Sequence, residues 1–420
     1  MSTAMVASRA LQERLDSARK LTDYVFSLLK PEALYSRPIP ERHRLIFYLG
    51  HLEAFDWNLI ARKTLDVPSF HPTFDKLFEF GIDPPVGQVA SDEPSDWPIV
   101  DEVRGYNQRV RRALDQLIDQ APEEIIHVAL EHRLMHAETL AYLLHNLPYD
   151  QKVRKGTPVP FSVKLLSNPM IEIAPGTATL GQKPGAFGWD NEFTEHQVDV
   201  PAFRVSKHKV TNGQYLDFVR AGGASPPHFW AERKSPHSTR WFYHGMFSPV
   251  PLPLNAPAYV THAEATAYAR AAGKSLPTEP QFHRAAYTSP ASFASEETSK
   301  PHERPFPWGH AEPNAKRGNF DFHQWDPLDV DAHPAGDSAW GVSQLVGNGW
   351  EWTATKFGPF PGFEPRPFYP GYSQNFFDEE HYVMKGGSPV TAACMLRRSF
   401  RNWFRPNYPY VYASFRLVED

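Results

Sequence analysis

Residues 122–148 read PEEIIHVALEHRLMHAETLAYLLHNLP. Pro122 fits the first turn of a helix, Glu123 and Glu124 follow it, and Asn146 and Pro148 end the run, which predicts one helix reaching Asn146. Within it Ile125, Ala129, His132, His136, Thr139 and Leu143 recur at spacings of 4-3-4-3-4, the period of a buried helical seam. Upstream, three more segments read as helical: residues 5–30, stopped by Pro31; Glu41 to Leu65, between Pro40 and Pro68; and residues 97–120. Four such helices predict a bundle over residues 1–155.

Beyond a linker at roughly 150–165 the composition changes. Runs such as MIEIAPGTATLG (170–181) and FRVSKHKVTNGQYLDFV (203–219) alternate β-prone residues with Gly, Pro and Asn. Only residues 211–220 and 262–273 read as helical, so a second, loop-dominated α+β domain is expected over residues 165–420.

Composition narrows the function. Forty-three Lys+Arg against 48 Asp+Glu leave a net charge of −5, without the basic excess of a phosphate-gripping nucleic-acid binder. Hydrophobic content of 41% with 22% charged residues reads as globular. No run approaches the ~20 apolar residues that span a bilayer. Arg9, Glu13, Arg14 and Asp16 stand where a signal peptide needs its apolar stretch. The expectation is a cytoplasmic protein with no nucleic-acid or membrane partner. A single cysteine, Cys394, excludes an internal disulfide and a cysteine-built metal site, while 19 histidines turn attention to imidazole.

His132 and His136 stand four apart, so one helix face presents both and a metal ion can join them. That spacing alone is common on surfaces and in satisfied cores. The shared seam adds that both lie in the interior, where an unpartnered polar group is costly. The third ligand falls to His51, in Arg44-Tyr48-His51-Phe55 with spacings of 4-3-4; its rival His43 lies near a helix start, between Arg42 and Arg44. Three imidazoles suit Zn, Fe, Cu or Ni, and spacing does not choose among them. Glu138 either orients a histidine ligand or pairs with Arg133 or a neighbouring helix.

In the second domain PMIEIAPGTATLG (169–181), VTNGQYLDF (210–218), THAEATAYARAAG (261–273), KSLPTEPQFHRAA (274–286), PWG (307–309), GNGWEWT (347–353), VMKGGS (383–388) and SFRL (414–417) follow in order. With these, residues 168–420 resemble the formylglycine-generating-enzyme/sulfatase-modifying-factor module, which implies a C-type-lectin-like α+β fold with structural roles for Glu279 and Glu351. Formylglycine enzymes hold a cysteine pair after the GGS. Here GGSPVTAACMLRR carries Cys394 alone, which argues against formylglycine synthesis and leaves Cys394 as a small buried filler. Arg397, Arg398 and Arg401 form a basic cluster, structural by default, with substrate carboxylates as the alternative.

A DinB-type bundle with one early histidine and a later HxxxHxE, fused to this module, resembles the ergothioneine sulfoxide synthases over essentially the whole chain. The resemblance implies one Fe(II) held by His51, His132 and His136, with O2 as co-substrate. It implies hercynine (trimethylhistidine) bound near Arg401-Asn402-Trp403, with the second domain capping the site. Trp403 and aromatics near it would wall in a trimethylammonium group.

Three departures from that family stand out. Members that take γ-glutamylcysteine grip its charged ends with an Asp and an Arg in an RNWDxPxxR-like run and an Arg in an early loop. This chain reads RNWFRPNYP (401–409), with Phe404 and Tyr408 at those places, and GIDPPVGQ (81–88) in the loop. An uncharged, hydroxyl-rich donor suits Phe404, Asn407 and Tyr408 better, which points to the selenoneine synthase relatives: O2-dependent coupling of a selenosugar to hercynine. An ergothioneine-type coupling with cysteine or another thiol stays open. So do a DinB-type metal-dependent thiol transferase and a non-enzymatic, ligand-binding module. Family members also carry an active-site tyrosine in a GFxxYPY-like segment; GFEPRPFYPGYSQNFF (362–377) places Arg366 or Phe368 there, with Tyr369 and Tyr372 close, so the donor is not assigned. Met135 stands where many members have Gln.

Overall fold

The computed structural model describes residues 3–82, 90–153, 166–235, 238–290 and 303–419, and it divides into two compact units, residues 1–156 and 157–420. The expected linker falls mostly outside the described residues, as does most of the 81–88 loop.

The first unit is helical. In chain order it holds α1 (Thr3–Ser27), α2 (Leu45–Asp56), α3 (Pro72–Phe80), α4 (Val100–Leu117) and α5 (Glu123–His145), with short 3-10 turns between some of them. Helix α2 continues without a break as a π-helix over Trp57–Thr64, so the run ends beside the expected Leu65 with its last turns widened. Helix α3 was not expected. Its nine residues are too few for a periodicity search, although Pro72 at its start and Gly81 past its end are ordinary helix punctuation.

Helix α5 runs through the middle of this unit. No residue from Ile125 to His145 is exposed, and Glu131 and Arg133, which lie off the expected seam, are buried as deeply as His132. A helix with so little exposure has to pair most of its polar groups internally. Arg133 does so by donating to both Glu53 oxygens at 3.0 and 2.9 Å and to Asp56 at 2.6 Å, which fastens α5 to α2. Leu11 and Leu15 of α1 meet Ile126 of α5 and Ile118, and Arg19 reaches Asp115 of α4 at 2.6 Å.

The second unit contains β1 (Met170–Ile173), β2 (Gly176–Leu180), β3 (His196–Val200), β4 (Phe203–Ser206), α6 (Asn212–Arg220), β5 (Trp230–Ser235), β6 (Ser238–His244), β7 (Pro249–Pro251), α7 (His262–Ala271), α8 (Glu279–Tyr287), β8 (Trp350–Lys356), β9 (Tyr382–Lys385), β10 (Asn402–Phe404), β11 (Ala413–Ser414) and β12 (Val418–Glu419). The described strands form four small sheets, β1-β4-β12, β10-β9-β8-β11, β2-β3 and β5-β6-β7. All pairings are antiparallel except β8 with β11. This is the mixed, loop-rich α+β domain expected, with α6 and α7 at the two predicted helices.

Two expectations need correcting. The segment after LPTE is a third helix, α8, whose Phe282, Ala285 and Ala286 enter a core with Ile173, Phe203, Val205 and Val418. Its signal was in the sequence: Thr278 and Gln281 form a capping box and Pro280 sits in the first turn. Cys394 is exposed and fills nothing. The 3-10 turn Ala393–Met395 sends Met395 inward instead, at 2% exposure.

The signature glutamates are structural, as expected. Glu351 accepts from Lys209 at 2.7 Å and from Arg416 at 2.6 and 2.7 Å, with all three side chains buried. Glu279 accepts from Arg401 at 3.1 Å and lies 3.7 Å from Lys385.

Candidate metal centre

Helix α2 supplies His51, and α5 supplies His132 and His136 one turn apart. The candidate ligand atoms of the three rings all lie within 4.8 Å of one another. Ring centroids are separated by 5.2 Å for His51–His132, 4.8 Å for His51–His136 and 4.5 Å for His132–His136. Aromatic neighbours hold the rings: Phe55 stacks on His132 at 3.4 Å and 11°, and Phe47 stacks on His51 at 4.7 Å and 25°. Both phenylalanines stand four residues from His51 on one helix face; Phe55 belongs to the seam expected from the sequence, and Phe47 is an addition to it. The rival His43 packs against Phe47 at 4.2 Å and is not part of the cluster.

Electrostatics keep all three imidazoles neutral. Burial pulls His51 down to about 4, and burial together with the neighbouring histidines and Arg133 holds His132 well below its ordinary range. Burial, then His51 and the Arg42 and Arg133 guanidiniums, does the same for His136. Neutral imidazole is the form that ligates a metal. The carboxylate two residues from His51 is occupied elsewhere: burial alone would raise Glu53, but Arg133 and Arg111 hold it at about 2.

The hydrogen bonding around the three rings is incomplete. His51 Nδ1 lies 2.6 Å from the Phe78 carbonyl oxygen, and His51 Nε2 lies 3.2 Å from His136 Nε2. His132 Nδ1 and His136 Nδ1 are buried with no hydrogen-bond partner. A buried polar atom without a partner costs about 1–3 kcal/mol. Two such atoms within one turn, beside two ring nitrogens facing each other, fit a site built for a cation. A divalent first-row metal suits this all-imidazole donor set.

The substrate-contact candidates of the second unit divide between two faces. Asn402, Trp403 and Phe404 form β10, where successive side chains alternate sides. Trp403 stacks on Phe357 at 4.1 Å and 6°, with Tyr372 and Phe376 at 5.5 and 5.6 Å. Phe404 instead stacks on Tyr408 at 5.0 Å and 15°, and Tyr408 meets Tyr410 at 5.1 Å. The Asn402 side-chain oxygen accepts from the Trp403 backbone N–H at 2.9 Å. Tyr372 also stacks on Trp189 at 3.9 Å, and Arg366 donates to the Gly188 carbonyl. The basic cluster takes its default role, with Arg397 on Glu192, Arg398 on Glu303 and Arg401 on Glu279.

Residues 14–145 match the DinB superfamily, and residues 157–420 match the family described as sulfatase-modifying factor enzyme 1-like domain. The chain is 33% identical to the hercynine oxygenase of Mycolicibacterium smegmatis, with 99% of this chain and 100% of that protein covered. It is 38% identical to the hercynine oxygenase of Mycobacterium tuberculosis over 55% of this chain and 56% of that protein. It is also 29% identical to ergothioneine biosynthesis protein 1 of Neurospora crassa, over 94% of this chain and 56% of the fungal protein. Among solved structures, PvdO from Pseudomonas aeruginosa superposes with a TM-score of 0.40 at 20% identity, covering 59% of this chain and 93% of that one. Matched from end to end at one third identity, with the same two modules in the same order, the chain belongs to the hercynine oxygenase and ergothioneine biosynthesis family.

Proposed function

We propose that this chain is an oxidative enzyme using Fe(II) and O2 to join the selenium of a selenosugar to the imidazole carbon of hercynine. The imidazole C–H and the Se–H are replaced by a C–Se bond; the two electrons and two protons released reduce O2 to hydrogen peroxide, or, where selenium is oxidised too, O2 ends as the selenoxide oxygen and water. The observation that carries the redox part is the neutral three-imidazole cluster of His51, His132 and His136. Bound there, ferrous iron would supply O2 activation and a place for a soft selenium donor.

The chain's own residues supply the rest. His51 and His132 are 8% and 4% exposed, while His136, Met135, Glu138 and Thr139 are half-buried, so the cluster's open side lies along that stripe of α5. Trp403, flanked by Phe357 and Tyr372, offers aromatic faces for a quaternary ammonium group. Phe404 and Tyr408 give a stacked aromatic surface suited to a sugar ring, where a zwitterionic thiol would need opposite charges. Asn402 completes the proposed substrate contacts.

A donor competition in air tests this reading. Protein loaded with Fe(II) receives hercynine and, separately, selenosugar, thiosugar, cysteine or γ-glutamylcysteine, and products are read by mass. A selenium adduct, absent without O2 and absent in His132→Ala, is the expected result. Product only with cysteine or γ-glutamylcysteine would overturn the assignment of Phe404 and Tyr408 while keeping the metal. O2-independent thiol transfer would overturn the oxidative chemistry.

A further inference from the structure

Gly50 immediately precedes His51, and α3 packs against α2 there. A Cβ on Gly50 would lie 2.4 Å from the Phe78 ring, far inside van der Waals contact. That ring has no room to step aside, because Phe78 is fully buried against Phe74 at 5.3 Å and Tyr106 at 6.2 Å. The missing side chain is therefore what admits α3 closely enough for the Phe78 carbonyl oxygen to stand 2.6 Å from His51 Nδ1. Asp75 pins the same helix. Its carboxylate accepts from Tyr106 at 2.8 Å and from Ser69 at 2.5 Å, and its carbonyl accepts from Asn58 at 3.0 Å.

A carbonyl oxygen only accepts, so a hydrogen bond to it requires the proton on Nδ1 and leaves Nε2 with its lone pair. The geometry points to Gly50 as a positioning residue: it lets the Phe78 carbonyl fix the His51 tautomer, so that Nε2 faces His132 and His136 ready to ligate before any metal arrives. With His51 Nε2 as acceptor, the 3.2 Å contact to His136 Nε2 assigns the shared proton to His136. For His136 to ligate through Nε2, that proton moves to its own Nδ1, and the ring enters the site neutral. This inference rests on the metal-centre reading.

The test uses the full-length chain stripped of metal and labelled with 15N-histidine, with the His51 signals assigned by their absence in His51→Gln. The expected spectrum shows His51 protonated on Nδ1. Titration with Co(II), followed by its visible absorption, is expected to show affinity falling roughly 10–100-fold in Gly50→Ala, the loss typical when a ligand's outer hydrogen bond is broken. Phe78→Ala added to Gly50→Ala removes the clash, keeps the carbonyl, and is expected to recover most of that affinity. A folded Gly50→Ala that binds Co(II) as tightly as the parent overturns the inference. So does a parent chain whose His51 is protonated on Nε2, a result that needs no variant to fold. A parent chain that shows the expected tautomer yet binds no Co(II) overturns the metal centre itself, and the ligating role drawn here with it.

Discussion

Two buried polar clusters, one in each unit, follow opposite rules. In the second unit Lys209, Glu351 and Arg416 satisfy each other almost completely. All three Arg416 nitrogens donate, to Glu351 and to the carbonyls of Ser206, Lys207 and Ser343, and Lys209 divides its donors between Glu351 and the Gln344 carbonyl. In the first unit His51, His132 and His136 face one another with two ring nitrogens unpaired. Complete mutual bonding fits a cluster that serves the fold; three converging imidazoles with incomplete bonding fit one that holds a ligand. Arg133, one residue from His132, stands between the two: its terminal nitrogens donate to Glu53 and Asp56, while its Nε is buried without a partner.

The largest expected effect breaks the closed cluster. Glu351→Ala strands two buried cations, and the second unit is expected to lose about 3–5 kcal/mol, read as a shifted denaturant transition. An unchanged transition would remove the distinction between the two clusters. Next comes His132→Leu, which is expected to lower Co(II) affinity beyond the roughly 10–100-fold cost of an outer partner. Without metal the same variant is expected to be as stable as the parent, because an apolar side chain replaces an unpaired buried nitrogen. Marked destabilisation of the metal-free variant would make the histidine a core element like Glu351.

Acid acts in the same direction on the buried histidines of both units, those of the cluster included. Burial lowers His208 and His262 to about 4, while unfolded histidine takes its proton near pH 6.5. Between those values the unfolded chain binds more protons, so the second unit is expected to lose stability as pH falls from about 6.5 towards 4, with no such slope above 6.5. Urea midpoints at stepped pH measure this, and a flat profile would contradict the burial of both groups. The smallest change is Thr278→Ala, which removes the α8 cap and is expected to cost about 1 kcal/mol with Co(II) affinity unaltered.

Much of this was legible in the residues, and the gaps have physical causes. Proline and asparagine punctuation located the long helices, and the HxxxH spacing found the pair on α5. The seam itself discriminated less than it promised, because Glu131 and Arg133, off the seam, are as buried as His132. The partner of His51 was invisible, since it is a backbone carbonyl 27 residues away on a helix too short to show a period. Trp403 and Phe404 looked like one patch in the sequence, but strand alternation sends them into separate aromatic groups.

The widened end of α2 has a mechanical consequence. Amides along Ile125–His145 sit in a helix with no exposed residue and are expected to exchange slowly with deuterium. His51, in contrast, rides on a helix whose last eight residues, Trp57–Thr64, are π-wound. Two ligands thus share one regularly wound helix, and the third rides on a helix whose winding changes six residues further on. If the widened turns loosen α2, amides over Trp57–Thr64 exchange before those of α5.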